Sequence, residues 1–535
     1  MPDRTSSISS STTAISSSGG STPARTVIKV AVIGTGLAGL VSAYRLATSN
    51  SGSVEFEVHL FDESPVIGFD ASSISVTDSD GVERRVDVPM RSFAGGYYTR
   101  VIALYRSLGL QFHNAKFSYS FSEVSNDVKS ERGAETYYMH GGQKQLIKKS
   151  GRPVEKGRVA YYASLVAVLF WYIYFTLVAA FSRPKGGLTF ENEARLDHSR
   201  RARYWYMTDP DDVLNERSGG SGFKSRNLFR KENIYGSMET GDEDEVMIGT
   251  GVETLREYVA RWHFPRWFVD RFMTPLFCAM STCTVDTIMD APAADVIDYK
   301  RTTFMKPHYL LSKNSRSAVD ALTACLNPDN IHLGMAVKSM LSEGSTWTIR
   351  TGDRDYNHFV HVIIATPPSV ARELHPPLEK IFKDVKSEYV RVLVHTDSRV
   401  LDYMNPKDIR DLNLIRTADR AEATHVLFPG VYQTTSPTTL CSYPDQPESA
   451  DFGGRIAPEK IVKESRFERV VRSAELVQAI EKMRKHQGRH NVWVTGSWMW
   501  QGLVLLEGCV ASADYVTERI KTKSGKTTIS SRDIV

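Results

Sequence analysis

Residues 30–46, VAVIGTGLAGLVSAYRL, place three glycines between an apolar run and a helix-like pattern. Residues 28–33 predict a short buried strand, and the apolar residues after the glycines recur at helical spacing. Gly34, Gly36 and Gly39 fall at the junction between the two. A strand, a tight turn and the start of a helix leave backbone N–H groups pointing outward, which favours a bound phosphate. The stretch therefore predicts a phosphate site.

A second strand and an acidic pair follow this stretch. Residues 54–60 alternate between apolar and polar side chains and end at Asp62 and Glu63. The order strand, GxGxxG, helix, strand, acid is typical of a dinucleotide-binding unit, in which the acid accepts hydrogen bonds from ribose hydroxyls. Asp62 lies 28 residues after Gly34, and a polar insert around residues 49–53 accounts for the length.

Bulk composition bounds the class of protein. The chain has 535 residues, 41% hydrophobic and 24% charged, with a net charge of +4, which indicates a globular protein of two or three domains. The small net charge and the lack of a basic stripe argue against nucleic-acid binding. The five cysteines are sparse and odd in number, which favours a reducing, intracellular compartment. Cys278 and Cys283 lack a second pair at zinc spacing, so we predict buried thiols and no metal site.

Longer motifs carry a resemblance to a known family. They are VAVIGTGLAGLVSAYRL, FDESPVIGF, RRVDVPMRSFAGGYYTRVIALYRSLGL, HVIIATPP and GSWMWQGLVLLEGCVASADYV. With these motifs the chain resembles the flavin-containing amine oxidoreductase and phytoene desaturase superfamily over residues 28–520. Within it, the chain is most similar to predicted NAD/FAD-binding proteins, some of which are associated with cyclopropane fatty acid synthases. The resemblance implies FAD as the cofactor.

The resemblance also implies which residues contact FAD. Val337 would use its backbone to hold the adenine, and Gly508 and Cys509 would open a helix that points at the flavin. Two positions depart from the family pattern, since Phe69 replaces the second glycine of a paired-glycine turn and Ser497 replaces an acid. The implied cofactor-binding residues are Gly34, Gly36, Leu37, Ala38, Gly39, Asp62, Glu63, Gly68, Val337, Gly496, Ser497, Gly508, Cys509 and Val510.

The expected fold class is α/β, with a three-layer FAD/NAD(P)-binding Rossmann-like domain and an inserted α+β substrate domain. A polar insertion is expected at about residues 215–245. The predicted segments are a disordered Ser/Thr-rich tail at 1–26, a discontinuous FAD-binding domain at 27–116, 321–368 and 481–522, a substrate domain at 117–320 and 369–480, and a disordered tail at 523–535.

One apolar stretch raises the question of a membrane. Residues 159–181 carry no charge and are long enough to cross a bilayer as a helix. One crossing would place the two halves of the flavin site on opposite sides of the membrane. Three placements remain: a monotopic anchor in one leaflet, the lining of an apolar substrate channel, or a buried helix. Its tyrosines favour the anchor, and we expect a membrane-associated protein.

The expected function is an FAD-dependent oxidoreductase that transfers a hydride from a small hydrophobic, lipid-like substrate to the flavin. Lys306 and His308 are the candidate catalytic residues, and His395 is a further candidate. An alternative is a flavin-binding protein without net redox turnover, such as an isomerase that assists a lipid-modifying partner. A third hypothesis replaces FAD by NAD(P), and the C-terminal motif argues against it. The sequence identifies no particular protein partner.

Overall fold

The structure analysed is a computed structural model of the chain. It describes residues 25–49, 54–77, 80–123, 135–140, 158–186, 251–401, 404, 406–416, 421–438 and 456–532. Residues 1–24 of the predicted N-terminal tail and the polar insertion at 215–245 lie outside the described residues. Thr26, the last residue of that predicted tail, already belongs to the first strand.

The strands, in chain order, are β1 Thr26–Ile33, β2 Val54–Phe61, β3 Ile74–Thr77, β4 Glu83–Val86, β5 Phe93–Ala94, β6 Phe112–Ala115, β7 Tyr119–Glu123, β8 Glu135–His140, β9 His308–Leu311, β10 Ile331–His332, β11 Val337–Glu343, β12 Thr346–Thr351, β13 Asp355–Phe359, β14 His361–Ile364, β15 Ser387–His395, β16 Leu412–Arg416, β17 Ala421–Phe428, β18 Val431–Thr438, β19 Ile461–Val470 and β20 Val492–Val494. The α-helices are α1 Leu37–Ala47, α2 Thr99–Ser107, α3 Arg158–Phe181, α4 Leu255–Arg261, α5 Arg266–Phe268, α6 Thr274–Ser281, α7 Val285–Asp290, α8 Ala293–Thr303, α9 Asn314–Thr323, α10 Pro368–Leu374, α11 Glu379–Phe382, α12 Ala474–His486 and α13 Leu506–Arg532.

A parallel sheet joins the two ends of the chain. Its order is β10-β2-β1-β14-β20, and each neighbouring pair is parallel. The chain moves outward in one direction from β1 to β2 and in the other to β14, so the order reverses beside β1. Ligands bind at the carboxyl end of such a switch point. The glycine loop directly follows β1, as the sequence predicts.

Side chains of β1 that point to opposite faces of the sheet are both buried, which gives three layers. Val30 and Val32 pack in one hydrophobic cluster with Leu40 of α1 and Val516 of α13. Ala31 and Ile33 pack in a second cluster, which includes Trp347, Ile349 and Phe359 of the antiparallel meander β11-β12-β13. The α/β fold class and its Rossmann-like, three-layer domain are confirmed.

The second large sheet has the order β19-β15-β18-β17-β16-β7-β8 and is antiparallel except for the pair β16 and β7. One face packs on α6 through Leu412, Leu414 and Ala423. Leu393 and Tyr432 belong to a separate cluster on the other face. The sheet belongs to the region predicted as the substrate domain.

Three helices assigned to that domain pack instead with the parallel sheet. Leu374 of α10, Phe382 of α11 and Ile480 of α12 share a cluster with Ile33 and Ile364. Spacing of apolar residues identifies these helices as amphipathic but does not say which sheet they cover. The packing therefore differs from the predicted boundaries at 368 and 480.

Helix α13 continues to Arg532, so residues 523–532 of the predicted disordered tail are helical, while 533–535 lie outside the described residues. Lys523 Nζ donates to Gly488 O at 3.0 Å, and Ser524 is buried with its Oγ 3.3 Å from His361 Nε2. The Ser, Thr and Lys residues of this segment resemble a solvated tail in composition. These tertiary contacts at its start favour the helix.

Helix α3 confirms the helix predicted for the apolar stretch, and the structure places it along the surface of the protein. Phe175 is 3% exposed and Val178 6%, whereas Val166 is 67% exposed and Phe181 86%. The exposed large apolar side chains of this helix are Tyr162, Val166, Leu169, Phe170, Tyr172, Ile173, Leu177 and Phe181. The helix is therefore half-buried, which contradicts one of the three alternative placements, that of a buried helix.

Candidate active site

The three glycines of the first loop have different neighbours. Gly34 has a φ of +102°, and its N–H donates to Phe61 O at 2.8 Å. A Cβ on Gly39 would lie 2.0 Å from Gly34 O, so the helix can approach the turn only with glycine there. A Cβ on Gly36 would meet nothing within 4 Å. Gly34 and Gly39 thus shape the turn, while Gly36 borders open space at the start of α1.

Asp62 holds the glycine loop from the end of β2. Its Oδ2 accepts hydrogen bonds from Thr35 N at 2.7 Å and from Thr35 Oγ1 at 2.5 Å, and its Oδ1 accepts from Ser64 N at 2.9 Å. Gly68 N donates to Thr35 Oγ1 at 2.7 Å, which draws the second turn onto the first. Because each carboxylate oxygen has two acceptor positions, Oδ1 retains one for a ribose hydroxyl. Glu63 is exposed.

The start of α13 meets the glycine loop. The helix begins at Leu506, two residues earlier than the sequence predicts. A Cβ on Gly508 would lie 2.4 Å from Ser497 O, so glycine is required where the helix passes the preceding loop. Cys509 interacts with Ser497 and with the backbone of Ala38. Burial raises the pKa of its thiol to about 11, so the thiol is neutral at pH 7.

The other residues implied by the resemblance lie around the same loops. Leu37, Ala38 and Val510 are buried, so they offer a ligand their backbone rather than their side chains. Gly496 N donates to Ser512 Oγ at 3.1 Å. Val337 starts β11, two residues after Met335, whose N–H donates to Asp62 O at 2.8 Å.

Phe69 has a role that the sequence did not predict. Its ring is 5% exposed, and the guanidinium carbon of Arg91 lies 4.6 Å from the ring centroid. A guanidinium over an aromatic face is stabilised by cation–π attraction. The residue that replaces the family glycine thus helps to hold Arg91 in the interior. Arg91 lies in a motif that carried the resemblance, but nothing in its spacing identified it as a site residue.

These features fit FAD. Open space borders Gly36, the amino end of α13 lies beside the same loop, and Asp62 keeps an acceptor free at the end of β2. Backbone N–H groups at a helix start bind phosphates and stabilise negative charge. One sheet brings together groups that the sequence separates by more than 400 residues.

The predicted catalytic residues fall in three different environments. His308 is half-buried on β9, 6.3 Å between ring centroids from Phe117, and burial lowers the pKa of its imidazole. Lys306 is exposed, and its side-chain carbons lie against Gly95 and Gly96. His308 is thus neutral at pH 7 and able to accept a proton. The structure does not test either catalytic role.

His395 is a structural residue. It is completely buried, and Asp397 N donates to its Nδ1 at 3.2 Å. With Nδ1 accepting, Nε2 carries the proton and donates to Thr434 Oγ1 at 3.0 Å. Its cross-strand partner Tyr432 packs in the cluster on the sheet face that turns away from the cofactor domain.

A polar row crosses the opposite face of the same sheet. Directly paired residues on neighbouring strands point to one side. The row consists of Gln433, His425, Leu412, Tyr119 and His140, each paired with the next. Gln433 Nε2 donates to Asp87 O at 2.9 Å, and Met90 N donates to Gln433 Oε1 at 2.7 Å. The row therefore faces the segment that carries Arg91.

His425 is the residue of this row whose ring has a buried nitrogen without a hydrogen-bond partner among the described residues. This nitrogen is Nδ1. Burial lowers the pKa of its imidazole to about 4, which makes the ring neutral at pH 7. A buried nitrogen without a partner is costly, so it is a candidate contact for a substrate. Alternation along β17 could have placed it on a face, but only the register identifies which face is turned to the cofactor domain.

Two family models match separate ranges of the chain. Residues 32–108 match the family model of an NAD(P)-binding Rossmann-like domain. Residues 255–443 match the model of flavin containing amine oxidoreductases. The chain thus matches these two family models, each over a part of its length. A comparison with curated proteins finds no match. The predicted link to cyclopropane fatty acid synthases is not shown by these matches.

Solved structures share the fold. A protein assigned as a protoporphyrinogen oxidase from Exiguobacterium has a TM-score of 0.54 at 13% identity and covers 93% of this chain and 99% of its own. A CLA-producing fatty acid isomerase from P. acnes has a TM-score of 0.54 at 15% identity, with the same coverage. Cyclohexylamine oxidase from Brevibacterium oxydans has a TM-score of 0.50 at 13% identity and covers 92% of this chain and 99% of its own.

The match to the flavin-containing family model confirms the prediction of FAD. For the membrane, one helix in the described part of the chain, Tyr162–Phe181, is long and apolar enough to span a bilayer, which is weak evidence.

Proposed function

We propose that the protein is an FAD-dependent oxidoreductase that acts on a hydrophobic, lipid-like substrate. The observation that supports it most is the meeting of the glycine loop and the amino end of α13 around the open space at Gly36. The polar row of the seven-stranded sheet faces this part of the cofactor domain.

FAD would supply a two-electron acceptor that takes a hydride from a substrate C–H bond. The N–H groups at the start of α13 are oriented to stabilise negative charge there. His425 and His308 are both neutral at pH 7 because burial lowers the pKa of each ring. Either imidazole is therefore able to accept the proton that a substrate hydroxyl or amine loses.

Apolar side chains next to the polar row support a lipid-like substrate. Two residues further along the strands, on the same face of the sheet, lies a second row of paired residues. It includes Ala423, Leu414, Phe121 and Tyr138. Tyr172 of α3 lies close enough to Tyr138 to raise the pKa of its hydroxyl, after the larger effect of burial. The exposed helix and the apolar end of the sheet are thus neighbours.

We also propose that α3 docks on a lipid surface in one leaflet. Its exposed large side chains between Tyr162 and Phe181 are apolar or aromatic, and its inward face packs against the protein, so the helix is suited to lie in the plane of an interface. Arg183 and Lys185 are exposed directly after it, and Lys300 Nζ donates to Tyr172 OH at 3.1 Å. These cations suit anionic lipid headgroups.

The test is purification in detergent, an absorbance spectrum and anaerobic titration with candidate lipids. We expect a flavin band that bleaches with a substrate, because reduction removes the absorption of oxidised flavin. Product formed without bleaching would favour the isomerase alternative. A colourless protein that binds only NAD(P)H would contradict the proposed cofactor.

A further inference from the structure

Arg469 is an enclosed cation whose guanidinium meets no carboxylate within ion-pair distance in the described part of the chain. It is enclosed by protein, yet part of its side chain remains accessible, as in a group that lines an internal space. Its Nη2 donates only to backbone carbonyls, at 3.3 Å from Ser281 O and 3.3 Å from Val504 O. Among the described residues, no carboxylate forms an ion pair with it within 4.0 Å.

The carboxylate directly across the sheet from Arg469 already accepts hydrogen bonds from other groups. Glu388 pairs with Arg469 across β15 and β19, but it accepts hydrogen bonds from Thr284 Oγ1 at 2.8 Å and from the Thr287 hydroxyl. Arg469 and Glu388 both border a small cavity, which also touches Val504 just before α13. Space therefore remains beside the guanidinium.

A second arginine lies nearby. Burial is the main cause that lowers the pKa of Arg469, and the positive charge of Arg91, which is held over Phe69, lowers it a little further. Both guanidinium groups lie within electrostatic range of Cys509 at the start of α13. Asp87 and Asp70 offset part of the charge on Arg91. Arg469, in contrast, has no carboxylate within ion-pair distance among the described residues, so a negative charge beside Arg469 would be stabilised.

We propose that Arg469, with Arg91, binds an anionic group of a ligand beside Cys509. The inference deepens the proposed function. The anion is either the carboxylate of a long-chain substrate or a negative charge of the bound cofactor. In both cases the guanidinium would contribute charge-assisted hydrogen bonds.

Arg472 is a matched control because it lies three residues further along and has a partner. Its Nε is 2.7 Å from Asp295 Oδ2, and both side chains are buried. Arg472→Met leaves Asp295 buried without its cation and should lower the melting temperature. Arg469→Met removes an unpaired charge, so the ligand-free protein should melt at or above the wild-type temperature.

The test compares wild type, Arg469→Met and Arg469→Lys with three probes. Sodium oleate and oleyl alcohol report on a substrate carboxylate, and FAD affinity of the apoprotein with the reduction potential of the loaded protein reports on a cofactor charge. We expect Arg469→Met to weaken oleate binding about tenfold or more without affecting the alcohol, or else to weaken FAD binding and lower the potential. Arg469→Lys should retain part of either effect.

Weaker binding of oleate alone assigns the anion to the substrate. Weaker FAD binding with a lower reduction potential assigns it to the cofactor. The proposal is overturned if Arg469→Met matches wild type in all probes, or if it melts as low as Arg472→Met. The oleate titration needs no flavin. If the purified protein fails to bind FAD, the proposed function is wrong. The oleate titration still tests the anion site in that case.

Discussion

Gly36 is the residue that separates cofactor binding from folding. Since a Cβ there would meet nothing within 4 Å, valine at this position should leave the turn intact and fill the space next to the first N–H groups of α1. We expect Gly36→Val to purify as a folded protein without flavin. The measurement is the ratio of flavin to protein absorbance, together with the circular dichroism spectrum.

Gly39→Val is the comparison for that variant. Its Cβ would lie 2.0 Å from Gly34 O, so helix and strand would have to separate. This variant should lose folded protein as well as flavin. A Gly36→Val protein that retains a full complement of FAD would contradict the placement of the cofactor.

His395 should make stability depend on pH. Burial lowers its pKa to about 4 in the folded protein, against about 6.5 when unfolded. The unfolded chain therefore binds the proton first, and stability falls as pH drops from 6.5 towards 4. At pH 5 the loss is about 2 kcal/mol. In denaturant titrations at pH 7 and pH 5, His395→Gln should reduce the difference by that amount; an unchanged difference would show that other groups cause it.

Single residues show the limit of prediction from sequence. The glycines and Asp62 could be predicted because their roles follow from local spacing between a strand and a helix. Arg91, Arg469 and His425 could not, since each owes its position to the packing of distant segments. A lone arginine or histidine has the same appearance in a sequence whether it is exposed or faces a cavity.

At the scale of the element, α3 should bind membranes through its exposed stripe. Changing Val166, Ile173 and Leu177 to serine removes three side chains that are exposed at 67%, 51% and 51%. Partial burial in lipid contributes about 1 kcal/mol each, so the triple variant should bind anionic vesicles roughly a hundredfold more weakly. Co-sedimentation with vesicles measures this.

Val178→Ser, on the buried face of α3, is the contrasting variant. It should lower the melting temperature, because Val178 is 6% exposed and packs in the main core, while the folded fraction still sediments with vesicles. Equal sedimentation of the triple variant and the wild type would show that the stripe does not meet lipid.

Helix α13 shows how elements escape sequence prediction at their ends. Its start carries a motif with the required glycine and was located to within two residues. Its continuation to Arg532 depends on contacts of Lys523 and Ser524 with parts of the cofactor domain that precede it in the chain. The same reasoning applies to α10 and α12, whose apolar faces were evident but whose partner sheet was not.

For the whole molecule, closure of the parallel sheet is the event on which the site depends. β1 and β20 belong to the same sheet although they lie at opposite ends of the sequence, with β14 between them. The sequence predicted this closure because both ends carry parts of one cofactor motif. It could not predict how the long middle region packs, since the large sheet of that region pairs segments far apart in the chain, such as β7 with β16.

Closure also predicts how ligands affect global stability. A dinucleotide that contacts both the glycine loop and the amino end of α13 links the two ends of the chain, so it binds the folded state only. FAD at a hundred times its dissociation constant should stabilise the apoprotein by about 2.7 kcal/mol. NADH at the same concentration would meet only the first of these regions, bind more weakly and stabilise the apoprotein far less. Thermal melting of the apoprotein with each ligand measures the difference. An equal shift with NADH would show that the return strand and α13 do not contribute to the cofactor site.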